Sequence, residues 1–262
     1  MDLSIYQIQG GFRGFAQVPS GAHYIAVKDY DNSYKSFWCY LKPSSVIVKI
    51  LDYEKKEFTD DSQNNEARFT TMVLSGVMNH VLIPVIDRNA EMATLWIKLT
   101  THINKSNFPP VLNYEIPMET PLHLSAEELS NWYLHKFKSR FEQAFYDTHN
   151  GDPNSFLAEF QYTFIKWIVS KTDEIALERW TPLIQAIYNA GERCIEDNHE
   201  LFPPLIDTLI NQFKCLPDDM FKTNSKITYK AEDLIEDMID TGNETLKEKA
   251  DEFSNYLKLR IS

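Results

Sequence analysis

The chain has 262 residues, of which 43% are hydrophobic and 13% aromatic, with only 8 glycines and 12 prolines; this excludes disordered, collagen-like and low-complexity classes and suffices for one large or two small domains. The formal net charge of −12 argues against direct nucleic-acid binding, because an acidic surface repels the phosphate backbone. No apolar run is long enough for a membrane span and the start lacks a secretory leader, so we expect a soluble protein of the cytoplasm, with the nucleus as a second compartment.

The first part of the sequence has the short alternating pattern of β-strands. Three runs rich in β-branched and aromatic residues, at 24–27, 37–41 and 46–51, are bounded by turn-forming residues, and a further strand is predicted over 12–18. Strands that follow one another so closely predict antiparallel pairing in a meander.

The middle of the sequence gives weaker signals. Residues 53–66 are polar and predict an exposed loop, whereas the apolar runs within 69–103 fit a strand or a helix equally well. Four prolines between 104 and 123 predict an extended connector. We therefore predict an α+β fold, with a β-rich antiparallel amino-terminal domain over residues 1–116 and an all-helical carboxy-terminal domain over 117–262.

From Ser125 onwards the hydrophobic period becomes helical. Ser125 and Glu128 have the spacing of a capping box, and Pro153 is tolerated near a helix start. Pro182 predicts either a kink or the first turn of a new helix, and Gly242 separates the last two helices. About six amphipathic helices with short connections predict a bundle or a solenoid-like domain.

Signatures of catalysis, cofactor binding and metal binding are absent from the sequence. It contains no phosphate-binding loop, nucleophile elbow or HExxH motif, and its early glycines precede a strand instead of opening a helix. The seven histidines and three cysteines lack metal-ligand spacing, and an odd number of cysteines argues against a disulfide framework. We therefore predict a non-enzymatic protein with no catalytic residue, cofactor or metal.

Three polar residues invite a functional interpretation. His23 follows a Pro-Ser-Gly turn, where a structural histidine bonded to a loop is more common than a general base, which needs an oriented partner and a cleft. Glu159 and Gln161 lie within a strongly apolar helix and fit either a hydrogen-bonding pair that supports a neighbouring element or an interface contact. The aromatic stripe around them is typical of a core.

Two segments carry a more specific pattern. The first, GGFRGFAQVPSGAHYIAVKD followed by SFWCYLKPSSVIVKILDYEKKEF, contains a V-P-x-G-x-H run with Pro19, Gly21 and His23. The second is FLAEFQYTFIKWIVSKTDEIALERWTPLIQAI. Together they resemble the A-one cistron splicing factor (Aar-two) family over most of residues 10–215. The positions that match its helical signature, G-E-L-Q-F-A-F and a following tryptophan, are Glu159, Phe160, Gln161, Phe164 and Trp180.

The resemblance implies a β-rich domain packed on a helical domain and a non-enzymatic role in messenger RNA splicing. Members of the family are assembly chaperones of the U-five small nuclear ribonucleoprotein. They bind the carboxy-terminal region of the spliceosomal scaffold protein Prp-eight and hold it in a precursor form until phosphorylation releases it. We expect the partner surface on the helical domain and in the groove between domains, and the mechanism to be steric occupation of that partner.

Two alternatives stay open. A distant homologue of the same fold could have an unrelated protein partner and no splicing role. A small-molecule-binding or enzymatic protein would instead show a deep polar pocket joining His23 to Glu159 or to nearby acids. The uneven charge favours a protein partner on the helical part, because residues 117–262 carry 15 basic and 26 acidic side chains, although solubility alone is a common reason for acidity.

Overall fold

The computed structural model describes residues 1–8, 12–28, 34–52, 54–85, 90–109, 124–170, 174–221 and 226–261. The chain divides into two compact units, Met1–Phe108 and Pro109–Ser262. The first is rich in strands and the second is helical, which confirms the α+β class. The predicted boundary between residues 116 and 117 lies outside the described residues, as does most of the predicted connector, and both stay predictions.

The first unit contains small two-stranded sheets rather than one large sheet. Its described strands are β1 (Gly14–Ala16), β2 (Gly21–Lys28), β3 (Tyr34–Leu41), β4 (Lys49–Asp52), β5 (Glu57–Asp60) and β6 (Leu82–Pro84). β2 pairs with β3 and β4 with β5 in antiparallel register, as the hairpin pattern predicts. The meander is wrong for β1, which pairs in parallel with β6. A parallel partner requires a long crossover, so local spacing could not reveal it.

Residues 53–66 are not the exposed loop that their polarity predicts. They contain β5 and the start of helix α1 (Gln63–Leu74). The polar sequence is misleading because both elements are largely exposed, and α1 has no buried residue. Strand β5 contributes one large apolar side chain, Phe58, whose ring centroid lies 4.9 Å from that of Phe37 on β3. The runs that fitted strand or helix equally well resolve into β6 and helix α2 (Ala90–Leu99).

Helix α2 packs its tryptophan against the longest hairpin. The Trp96 Nε1–H donates to the carbonyl oxygen of Ala22 on β2 at 2.7 Å, and the indole stacks on Trp38 of β3 with ring centroids 6.3 Å apart. Trp96 and Leu99 are the buried residues of this helix. The contact joins sheet and helix into one core, because a buried indole N–H needs an acceptor and Ala22 supplies it.

The second unit is built from helices of very different burial. In its described part these are α3 (Ala126–Glu142), α4 (Pro153–Ser170), α5 (Glu174–Tyr188), α6 (Glu192–Asp197), α7 (Phe202–Phe213), α8 (Ala231–Asp240) and α9 (Glu244–Ile261). Helix α4 is the central one, because every residue from Phe156 to Ile165 is buried. The predicted helical period is thus confirmed.

The predicted helix boundaries are largely confirmed. The Ser125 hydroxyl accepts from the backbone N–H of Glu128 at 3.3 Å, and the Glu128 carboxylate accepts from the backbone N–H of Ser125 at 2.9 Å, which is a capping box. Helix α4 begins at Pro153, and Gly242 separates α8 from α9 with a φ of +69°. Helix α5 runs continuously through Pro182, so this residue does not open a new helix.

A π-helical segment, Gln143–Thr148, follows α3 directly. Its wider turn carries Phe145 into the core, where the ring lies 6.0 Å from Phe141 and 5.8 Å from Phe156. Asn150 and Gly151 then reverse the chain with φ values of +52° and +70°. Such segments are rare and insert one residue into the helical repeat, so the 3.6-residue period did not predict it.

Candidate functional site

His23 is held by both of its ring nitrogens. It is 1% exposed, its Nε2 lies 2.7 Å from the carbonyl oxygen of Pro19, and its Nδ1 lies 2.9 Å from Oδ2 of Asp2. A carbonyl oxygen can only accept, so Nε2 carries a proton and donates it to Pro19. This bond closes the turn onto β2 and leaves His23 no free lone pair at Nε2 with which to act as a base.

Asp2 reaches the same strand from outside the hairpin. Its backbone N–H donates to the carbonyl oxygen of Tyr24 at 2.7 Å, and its Oδ1 accepts from the Tyr24 N–H at 2.9 Å. Its side chain is only 11% exposed. Asp2 thus fills both hydrogen-bonding positions that a neighbouring strand would use at Tyr24.

Gly21 is required by the backbone of the turn rather than by close packing. Its φ is +137°, and a Cβ built there would meet nothing within 4 Å. Glycine adopts this conformation without the steric cost that other residues incur. The structure therefore brings Pro19, Gly21 and His23 together as one turn at the start of β2.

Glu159 bonds to a histidine in the turn before α4. Its Oε2 lies 2.5 Å from Nε2 of His149, whose Nδ1 lies 2.7 Å from the Ser155 hydroxyl. Both Glu159 and His149 are buried. In serine hydrolases the carboxylate bonds to Nδ1 of the histidine and the hydroxyl to Nε2. Here the two are exchanged, because Glu159 bonds to Nε2 and Ser155 to Nδ1. These bonds fasten the turn that follows the π-helical segment to α4.

Phe160 and Trp180 are linked through a glutamine. The Trp180 Nε1–H donates to Oε1 of Gln212 at 2.8 Å, and the Gln212 Nε2–H donates to the carbonyl oxygen of Phe160 at 3.3 Å. All three residues are fully buried. One side-chain amide therefore joins α4, α5 and α7 in the centre of the helical unit.

Phe164 belongs to the aromatic cluster around the same tryptophan. Its ring centroid lies 5.0 Å from that of Trp180 and 5.9 Å from that of Trp167, and the two indoles stack at 5.4 Å. Phe213 completes the cluster from α7. Gln161 is also fully buried on α4.

The helical family-motif positions are thus interior residues. Glu159 is 4% exposed, and the others are completely buried. Side chains that make contacts inside the fold cannot at the same time present a surface to a partner. They position the helices, and any partner surface on this unit consists of other residues.

Three residues that matter to this arrangement were not singled out by sequence reasoning: Asp2, His149 and Gln212. Gln212 had a detectable signal, because it is polar on the face of α7 that carries Leu205, Leu209 and Phe213. Asp2 and His149 carried no such signal in the sequence, because only the folded chain shows that Asp2 bonds to His23 and that His149 bonds to Glu159.

A second polar clamp holds the segment before α8. The Gln185 Nε2–H groups donate to the carbonyl oxygens of Lys226 and Tyr229 at 2.8 and 3.0 Å, and the Tyr188 hydroxyl donates to that of Ile227 at 2.9 Å. Complete burial raises the pKa of Tyr188 well above its usual range, so its hydroxyl remains a donor. The clamp fixes where α8 begins.

The outer face of α8 is strongly acidic. Its sequence, AEDLIEDMID, has five carboxylates and no basic residue, and four of the carboxylates are exposed: Glu232, Asp233, Glu236 and Asp240. Asp233 lies 3.6 Å from Lys230, just before the helix. Like charges four residues apart repel along a helix, so this face concentrates negative potential.

The described residues include no group of three or more His, Cys, Asp or Glu side chains that could hold a metal ion. Within that part of the chain, no helix is both long and apolar enough to cross a membrane. Burial raises the pKa of the Cys39 and Cys215 thiols to about 11, which keeps both protonated at neutral pH.

Two protein-family models match the chain and together cover it. The model of the AAR2 N-terminal domain matches residues 1–113, and that of the AAR2 C-terminal repeat region matches residues 114–262. The second match alone covers more than half of the sequence. A comparison with curated proteins finds no match.

Proposed function

The chain belongs to the AAR2 family, and we propose that it binds the carboxy-terminal region of Prp-eight during assembly of the U-five small nuclear ribonucleoprotein. The predicted resemblance to the Aar-two family is confirmed, and it makes the chain a splicing-related assembly factor from a non-catalytic family. The observation that carries the proposal is the pair of matches, which run consecutively over both units.

Steric occupation is the mechanism that the interior supports. An assembly factor that blocks a partner needs a shape that persists in the free state, because ordering a surface on binding lowers affinity. The Gln212 amide, the aromatic cluster around Trp180 and the Glu159–His149 pair fix the helices of the second unit from inside. The helical unit is therefore preorganised.

We place the partner contact on exposed parts of the helical unit, with α8 at its centre. Complementary charge accelerates encounter and selects the partner. The exposed carboxylates of α8, together with 26 acidic and 15 basic side chains over residues 117–262, suit a basic patch on a protein. The same charge supports the proposal that the chain makes no direct contact with nucleic acid. We propose the cytoplasm as its main compartment and the nucleus as the second.

The test is direct binding between the full chain and the Prp-eight carboxy-terminal fragment of the same organism. We expect a one-to-one complex at micromolar concentrations or below, which weakens as salt is raised. Absence of binding would refute the proposal. If an affinity purification from native lysate then yields another stoichiometric protein, the alternative of an unrelated partner holds.

Matched charge reversals locate the surface. Glu232→Lys with Glu236→Lys changes α8, and Glu127→Lys with Glu142→Lys makes the same net change at exposed positions of α3. We expect the α8 pair to weaken binding about tenfold or more, and the α3 pair to change it less than about threefold. Equal effects of the two pairs would contradict a contact centred on α8.

A further inference from the structure

Ser155 is bonded to a histidine that is itself held by a carboxylate. The Ser155 hydroxyl lies 2.7 Å from Nδ1 of His149, and Nε2 of the same ring lies 2.5 Å from Oε2 of Glu159. A carboxylate can only accept, so Nε2 carries the proton of this contact. In the neutral imidazole Nδ1 then has a lone pair, and the Ser155 hydroxyl donates to it.

This arrangement is the one that activates a nucleophile. It requires a hydroxyl, a base within hydrogen-bond reach and a third group that orients the base. The exchange of the two ring nitrogens relative to serine hydrolases does not affect this requirement, because the nitrogen that faces the hydroxyl is still the one with the lone pair. His149 is 8% exposed and Glu159 4%, whereas Ser155 is only half-buried. The base is therefore shielded, while the hydroxyl lies close to solvent.

The backbone around Ser155 also fits a reactive position. The π-helical segment and the left-handed Asn150, with a φ of +52°, come just before it, and both features are concentrated at functional sites. Ser155 is the third residue of α4, where backbone N–H groups have no acceptor within the helix. Its own N–H can therefore stabilise the oxyanion that forms when the hydroxyl attacks, as the N–H of the nucleophile does in serine hydrolases.

We propose that Ser155 is a nucleophilic serine, activated by His149, that accepts an acyl group from an electrophilic ester. The bond from Oγ to the acyl carbon forms, and the bond from that carbon to the alcohol oxygen breaks. The hydroxyl proton passes through Nδ1 of His149 to the leaving alcohol. The product is a covalently acylated serine on the helical unit. This step modifies the chain once and needs no turnover, so it is compatible with membership of a non-catalytic family.

Ser125 is a matched reference in the same chain. It also lies at the start of a long helix, and its hydroxyl donates directly to a carboxylate oxygen, Oε2 of Glu128, at 2.7 Å. It is more exposed than Ser155, so access to reagents favours Ser125. Faster reaction at Ser155 must then come from the base.

The test is labelling of the full chain at pH 8 with a fluorophosphonate, which traps activated serines. The bond from Oγ to phosphorus forms, the P–F bond breaks and fluoride leaves, and peptide mass spectrometry gives the rate at each serine. General-base assistance is worth about 10²–10⁴-fold, so we expect labelling of Ser155 at least about tenfold faster than that of Ser125. In concentrated urea the base is no longer positioned, and the two rates should agree within about threefold.

His149→Gln removes the base and should lower the labelling rate of Ser155 to about that of Ser125. Circular dichroism at 222 nm establishes whether this variant is folded. His199→Gln, at an exposed position of the same unit, is a matched loss of one imidazole and should leave the rate unchanged.

Three results would overturn the proposal. One is labelling of Ser155 in the folded chain no faster than that of Ser125. Another is a preference for Ser155 that is equally large in urea, and the third is a folded His149→Gln variant that is labelled as fast as the wild type. Should that variant unfold, the wild-type comparison in buffer and in urea decides alone. The outcome is independent of Prp-eight binding, because no partner is present.

Discussion

Replacement of Gln212 by leucine tests whether one amide holds three helices together. Leucine has nearly the volume of glutamine, so the change removes two hydrogen bonds without opening a large cavity. The Trp180 Nε1–H, which donates to Gln212 at 2.8 Å, would remain in a fully buried site without an acceptor. The Phe160 carbonyl loses only a long bond of 3.3 Å and lies in mid-helix, where the helical ladder still supplies a donor.

The magnitude follows from the orphaned indole. A buried donor left unsatisfied costs about 1–3 kcal/mol, so we expect Gln212→Leu to lower the free energy of unfolding by about 2 kcal/mol. For a unit of this size, that corresponds to a decrease in Tm of about 4–8 °C. Trp180→Phe removes the donor but adds a cavity. The double variant should therefore cost about 1–2 kcal/mol less than the sum of the single ones.

The assay is urea unfolding followed by circular dichroism at 222 nm, which reports on the helices and does not depend on Trp180 fluorescence. Gln143→Leu, at an exposed position of the π-helical segment, is the control and should stay within about 0.5 kcal/mol of the wild type. A Gln212→Leu variant as stable as this control, or a strictly additive cycle, would refute the reasoning.

Three further expectations concern other polar contacts. Glu159→Gln leaves His149 without its buried carboxylate and should cost about 3 kcal/mol in urea unfolding; a loss below about 1 kcal/mol would show that the pair contributes little. The hydrogen bonds from Ser125 lower the pKa of Glu128, so the stabilisation by this cap is present above the unfolded pKa of Glu128 and is lost as pH falls through the lowered pKa of the folded state. Glu128→Gln should therefore make the helicity of α3 depend less on pH between pH 5 and pH 2. A plot of helicity against pH with the same slope as that of the wild type would contradict this expectation. Iodoacetamide at pH 8 should label Cys39 and Cys215 slowly in the folded chain, because their thiols have pKa values of about 11 and stay protonated; peptide mass spectrometry showing labelling of either residue as fast as in the urea-unfolded chain would contradict this expectation.

The sequence predicts those features of the fold that are local. The helical period and the capping box at Ser125 need only neighbours within one or two turns. The same holds for β2 and β3, whose pairing follows from a short hairpin connection. The parallel partner of β1 is not local, since β6 follows two hairpins and a helix later. No property of residues 12–18 specifies it.

The site shows the same division in its chemistry. The V-P-x-G-x-H run identifies a turn, and the apolar helix around Glu159 identifies a core. The side chains that complete these contacts, Asp2 and His149, are ordinary surface types in the sequence. They acquire partners only after folding excludes water from His23 and Glu159. Sequence reasoning therefore identifies the residues that form turns and cores, but not the residues that supply hydrogen bonds to a buried histidine or glutamate.

The proline inside α5 has a consequence for how the helical unit forms. Pro182 lacks an N–H, so it cannot donate to the carbonyl of Glu178, and a proline in mid-helix costs about 3 kcal/mol. A peptide covering α5 alone would not be helical in water. The buried side chains on either side of the proline, Trp180 and Leu183, must supply the missing stability through their neighbours. Helix α5 is therefore expected to become helical only together with the helices that it packs against.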